Sequence, residues 1–120
     1  MIQNKNKYDL EERTLRFAEN IIDLCKSIRQ SYVNSPIINQ LIRASSSIGA
    51  NYSEANNASS KKDFKNKIFI SKKECQETKY WLTLLKRCCP EKENEIKPLW
   101  QECHELNLIF QKIINSLNKV

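Results

Sequence analysis

The 120-residue chain contains one glycine, Gly49, and three prolines. So little glycine excludes a sheet with many tight turns, a glycine-rich phosphate loop and a flexible linker, which all need backbone freedom other residues lack. No apolar run reaches the roughly 18 residues that a membrane span requires. The opening residues, Met1 to Lys7, are polar, and no apolar stretch of signal-peptide length follows them. The expectation is a small, soluble, cytoplasmic domain without a membrane partner. Histidine is scarce as well: His104 stands alone, without a recognisable catalytic companion, and is expected on an exposed helix face.

Metal-ligand spacing is also missing. No CxxC pair occurs, and Cys88-Cys89 and Cys103-His104 place adjacent residues where a tetrahedral site needs separated ones. Five cysteines are an odd count without an export signal, so they read as reduced thiols. The serine run Ser45-Ser46-Ser47 has no base or oxyanion loop, and no Glu-x-x-His pair exists to build a di-metal bundle. No catalytic residue, cofactor or metal is expected, and the protein reads as non-enzymatic.

What is present is helical periodicity, in an all-α chain. Apolar residues at three- and four-residue steps predict helices over 9–32, 36–57, 61–88 and 96–118. The first opens at Asp9, with Glu12 completing a capping box, and carries Leu10, Phe17, Ile21, Cys25 and Ile28 on one face, continued by Tyr32. Ser35 and Pro36 suit the start of the second, whose stripe includes Ile38, Leu41, Ile48 and Tyr52. Small residues from Ala44 to Ala50 would let a neighbouring helix come close. Ser60 and Asp63 mark the third N-terminus, and its core stripe runs through Phe64, Ser71, Cys75, Thr78, Leu82 and Leu85, widened by Ile70 and Trp81. The fourth carries Ile96, Cys103, Leu106, Phe110 and Ile114, with Pro98 expected in its first turn. Four such segments with short connections predict one domain over 1–120, an antiparallel up-down-up-down four-helix bundle.

The net charge of +6 comes from one place. Residues 61–87 hold nine basic and three acidic groups, and the flanking segments balance. Lys65, Lys72, Lys79 and Lys86 are spaced by sevens and, with Lys61, read as a stripe opposite the core; Lys62, Lys73 and Arg87 lie on its flank. Such a stripe is a candidate contact for nucleic acid or another polyanionic partner. Ile68, Phe69 and Tyr80 are placed in or beside it, where rings would stack on unpaired bases or a second copy would cover them. A solvated lysine-rich face is the plain alternative. Arg43, Asn51, Glu54, Glu74 and Glu77 lie beside packing faces, which points to ion pairs between helices, within a chain or between subunits.

The run from Gln40 to Ala55, QLIRASSSIGANYSEA, resembles the centre of a family of bacterial four-helix-bundle proteins. The family takes its name from reading frames in intervening sequences of large-subunit ribosomal RNA genes. Ser59 to Phe64 and Glu74 to Leu82 continue the likeness, while the first and fourth helices agree only in length and apolar pattern. Within the motif, Arg43, Ser47, Asn51 and Glu54, with Glu77, Tyr80 and Trp81, fall at structural or interface positions. The chain departs from the pattern with Ala55 where many members have Gly, and with Tyr52-Ser53 in place of Ile-Ala. The resemblance implies a bundle that assembles as a ring-shaped homopentamer with no established enzymatic activity. In a distant branch it implies an accessory protein that binds a reverse transcriptase and nucleic acid. The expected role is therefore an RNA- or ribonucleoprotein-associated accessory protein; the alternative is a protein-interaction module with no nucleic-acid role.

Overall fold

The computed structural model describes residues 2–119, and their side chains from Leu10 onward. Four helices follow one another: α1 (Ile2–Lys26), α2 (Asn34–Asn56), α3 (Lys61–Cys88) and α4 (Glu93–Leu117), with a single 3-10 turn at Pro90–Lys92 before the last. No strand is formed among the described residues. Each helix packs on the next, and α1 closes the set against α4. Contacts step in opposite directions along neighbours. Glu54, Ile48 and Arg43 of α2 meet Lys67, Ser71 and Glu77 of α3, in that order. Lys65, Cys75 and Lys86 of α3 meet Asn118, Cys103 and Glu93 at α4. This is the four-helix architecture the periodicity predicts.

The interior is the union of the apolar stripes. Phe17, Ile21, Leu41, Ile48, Ile68, Leu82, Leu85, Leu106 and Phe110 are essentially sealed from solvent. Each such side chain contributes about 1.5–3 kcal/mol relative to exposure. Tyr52 leans on Phe110 with ring centroids 5.8 Å apart. The hydroxyls drawn into this interior are satisfied locally: Thr14 donates to the Glu11 carbonyl and Thr78 to that of Glu74. Ser71 does more, because it donates at 3.0 Å to the Ile48 carbonyl of the opposite helix. Cys25, Cys75 and Cys103 are buried as the stripes predict, and all five cysteines are free thiols.

The helix ends differ from the sequence reading in instructive ways. α1 is helical from Ile2, and the Asp9 side chain lies outside the described residues. At its other end α1 stops at Lys26 rather than residue 32. Ser27 donates its hydroxyl to the Leu24 carbonyl at 2.6 Å, and the chain then leaves the helix. Ile28 stays buried, but Tyr32 is 93% exposed and belongs to no core face.

The start of α2 is set by Ser31 and Asn34, not by Ser35 and Pro36. Ser31 Oγ accepts from the Asn34 amide at 3.1 Å, and Asn34 Oδ1 accepts from the Ser31 amide at 2.8 Å. That exchange is a capping box with Asn in the usual Glu place. Ser60, in contrast, caps α3 as expected, accepting from the Asp63 amide.

Two further corrections follow from tertiary packing. α4 begins at Glu93, so Pro98 is the sixth residue of the helix and lies beyond the first turn. The stretch from Glu91 to Glu95 is drawn into helical structure because Glu93 and Glu95 occupy the electropositive first turn. At Gly49 α1 comes close against α2: a Cβ there would lie 2.9 Å from Thr14 Oγ1 and 3.1 Å from Thr14 Cβ. The small residues of α2 do admit a close neighbour, and Gly49 is the position that requires it.

Candidate functional site

The lysines spaced by sevens do not face away from the core. Lys65 reaches Asn118 beyond the end of α4. Lys79 Nζ lies 3.2 Å from His104 Nδ1 and 5.3 Å from the centroid of the Trp100 ring. Lys86 Nζ is 4.0 Å from Glu93, and Lys72 is half-buried. The row therefore runs along the seam between α3 and α4. A strict seven-residue spacing drifts by about 20° per heptad around a straight helix. Lys65 is already against the end of α4, and the later three lysines stay within about 60° of it, so the row is a flank and not an outer wall. His104, expected on an exposed face, is instead half-covered and stacked on Trp100 at 5.4 Å.

The outer wall is made by the residues assigned to the flank. Lys62, Phe69, Lys73, Tyr80 and Arg87 project within about 40° of one another at 100° per residue, opposite the buried stripe. All five are exposed, as is Lys61 at the start of the helix. Among the described residues, no carboxylate lies within 4.0 Å of Lys61, Lys62, Lys73 or Arg87. Tyr80 is 59% exposed and braced edge-on against Trp81, with centroids 5.1 Å apart. Ile68 departs from the reading in the other direction: it is fully buried and belongs to the core stripe, whereas Ile70 is exposed. The face thus holds unpaired cations around two accessible rings, an arrangement suited to a phosphate backbone with unstacked bases.

The motif residues of α2 and α3 form a polar seam on the other side of α3. Arg43 bridges to Glu77 at 2.7 Å and to Glu74 at 3.4 Å. Glu54 pairs with Lys67 at 2.7 Å, and that bond raises the Lys67 pKa above its ordinary value. Asn51 turns back onto its own helix, donating to the Ser47 carbonyl. The ion pairs are within one chain, and the two glutamates of α3 converge on Arg43. Lys67 was not singled out by sequence. Its signal is register: in an antiparallel pair, the helix turn facing Glu54 is the one that carries Lys67.

Glu74 is only 12% exposed, and its Oε1 is buried without a hydrogen-bond partner, so Arg43 is the cation holding this carboxylate. Arg43→Ala is expected to lower stability by about 1 kcal/mol, and Lys72→Ala by under about 0.5 kcal/mol. Equal urea midpoints for the two variants would contradict that role.

Three of the thiols, Cys25, Cys75 and Cys103, are sealed in the core. Cys103 Sγ donates to the Cys75 carbonyl at 3.2 Å, and the neighbouring Cys103 together with burial pushes the Cys75 thiol well above the usual range. Burial alone raises Cys25 to about 11. Among the described residues, no group of three or more His, Cys, Asp or Glu side chains is placed to hold a metal ion, and no helix is long and apolar enough to cross a membrane.

A family model described as "23S rRNA-intervening sequence protein" matches residues 6–112. The chain belongs to that family. The match takes in most of α1 and most of α4, where the sequence likeness rested on pattern alone. Among solved structures, the intervening-sequence fold is similar to that of a protein of unknown function from the S23 ribosomal protein family of Bacteroides thetaiotaomicron VPI-5482. That structure is 35% identical, with a TM-score of 0.75 over 87% of this chain and 96% of the other. No curated protein matches this intervening-sequence chain.

Proposed function

We propose that this protein is a non-enzymatic, RNA-associated accessory protein that works as a homo-oligomer, with a ring of five copies as the expected assembly. The observation that carries the RNA reading is the outer wall of α3. Lys62, Lys73 and Arg87 surround Phe69 and Tyr80 there without a nearby carboxylate, and Lys61 is exposed at the start of the same helix. Lysines and arginine draw the phosphate chain and set its register, while the rings accept bases without selecting them. Binding of this kind is tolerant of sequence and sensitive to salt.

The groove between α1 and α2 supports self-association. It has a volume of about 660 Å3, and Ala18, Gly49 and Ala50 are among the residues lining it. Leu15 and Ile22, two turns apart on its wall, are 59% and 41% exposed. Apolar surface of this kind calls for a cover.

The test is binding of a structured ribosomal RNA fragment over a salt series. Replacing Lys62, Lys73 and Arg87 together by Glu is expected to weaken binding at least about tenfold and to flatten the log–log salt slope by about 2–3. Unchanged affinity and slope would remove RNA from this face and leave it as a docking surface for an acidic protein. Solution mass checks the assembly: about five times the 14.1 kDa chain is expected. A monomer at micromolar concentration would overturn the ring.

A further inference from the structure

A second cavity, of about 640 Å3, opens where the end of α3 meets the start of α4. It is within the size range of small-molecule sites. Its walls carry Thr83 and Lys86 from α3, and Glu93, Asn94, Lys97 and Trp100 from α4. Three features of these walls point to one kind of ligand.

The first is the indole of Trp100. His104 stacks on it nearly parallel, at 14° between planes, and stands one turn toward the C-terminal end of α4. Lys79, 3.2 Å from His104, is at that same end. Apart from Gln101, the other cavity residues of α4 precede Trp100 and those of α3 lie beyond Lys79, so most of the pocket lies on the side of Trp100 away from His104. A planar ring entering there would complete a stack on an indole already held in place.

The second feature is charge. Lys97 is exposed and has no carboxylate within 4.0 Å among the described residues. Lys86 makes only the 4.0 Å contact with Glu93, at the limit of an ion pair. Two ammonium groups therefore stand at the mouth of an otherwise largely apolar pocket.

The third is a backbone acceptor. Pro98 sits inside α4 and has no N–H, so the Asn94 carbonyl loses the helix donor that normally satisfies it. With the Glu93 carboxylate beside it, the pocket offers acceptors suited to an exocyclic amino group. A flat ring, an amino group and an anion are the parts of an adenine or cytosine nucleotide.

We propose that this pocket binds one nucleotide, with its base against the open side of Trp100 and its phosphate held by Lys86 and Lys97. The source that fits the rest of the molecule is an unpaired residue of bound RNA, because Lys86 of the pocket is followed directly in α3 by Arg87, the last cation of the wall. That source rests on the RNA reading above, whereas the pocket chemistry stands without it.

The experiment reads Trp100 fluorescence in a Trp81→Phe background, which leaves one indole in the chain. Adenosine 5′-monophosphate is expected to quench the emission saturably, and inorganic phosphate alone to leave it unchanged. Lys97→Glu, an exposed position that does not threaten folding, is expected to weaken the quenching at least about tenfold. An RNA hairpin with a single-nucleotide bulge is expected to quench at lower concentration than its perfectly paired counterpart. Quenching by the mononucleotide with no preference for the bulge would keep the nucleotide site and make its ligand a free nucleotide.

No saturable quenching by either probe up to about 10 mM would overturn the proposal. So would quenching that Lys97→Glu leaves intact. If RNA binds the outer wall of α3 while Trp100 stays silent, the pocket proposal falls and the RNA reading stands. If the mononucleotide quenches but no RNA binds, the reverse holds.

Discussion

Replacing Ile68 by Ala should remove about 3 kcal/mol of stability, whereas the same change at its neighbour Phe69 should cost under about 1 kcal/mol. Hydrophobicity alone predicts the opposite order, since phenylalanine is the larger side chain. The structure reverses it because Ile68 is completely buried and Phe69 is 44% exposed. Deleting the Ile68 methyl groups leaves a cavity that α2 and α4 cannot close without moving other sealed side chains. Ile68→Lys should be worse, because the core has no carboxylate at that level to receive an ammonium group. Phe69→Lys should be tolerated. Urea titration at fixed protein concentration measures all four variants. Matching losses for Ile68→Ala and Phe69→Ala would mean that α3 is turned by about one residue, or 100°, and would undo the assignment of its outer wall.

Gly49→Leu is expected to destabilise by about 2 kcal/mol, against the helix propensity of the residue introduced. In an exposed helix, leucine is better than glycine by nearly 1 kcal/mol. Here the first added carbon alone would fall 2.9 Å from Thr14 Oγ1 and 3.1 Å from Thr14 Cβ. Thr14 is only 1% exposed and its hydroxyl is committed to the Glu11 carbonyl, so it has little room to turn. The remedy is to push α1 away from α2, which opens the core between them. The smaller change Gly49→Ala separates the two contributions. Its cost should shrink when Thr14 is also Ala, and a double-mutant cycle reads that coupling directly. Additive losses would show that α1 does not approach at Gly49. The same displacement would reshape the groove holding Leu15 and Ile22, so a change in solution mass should accompany the loss.

The residues most readily placed from sequence were those whose partners are near in the chain or uniform in kind. Ser60 capped α3 as read, because a cap involves only the next three residues. Cys75, Thr78, Leu82 and Leu85 were on the core stripe as read, because any apolar neighbour satisfies them. Ile68 and Ile70 exchanged roles, since both lie near the edge of the apolar sector and only the position of α2 and α4 decides which edge is covered. The seven-residue lysine row was misplaced for a related reason. Its spacing keeps all four lysines on one side of α3, and only the position of α4 makes that side a seam. Trp100 and His104 gave no signal of a pocket, because its other wall comes from Leu82, Thr83 and Lys86 of α3, across the turn between the helices.

The amino-acid order by itself determined four amphipathic helices, a cation surplus confined to the third, and kinship with a ribosomal RNA intervening-sequence family. These are local or additive properties: periodicity, charge and short motifs survive without knowledge of what packs where. Tertiary structure alone decided which cations remain unpaired, that Arg43 bridges two glutamates, that Gly49 admits α1, and that Trp100 closes one wall of a cavity. Each depends on the rotation of one helix against another, and turning a helix by a single residue exchanges a buried group for an exposed one.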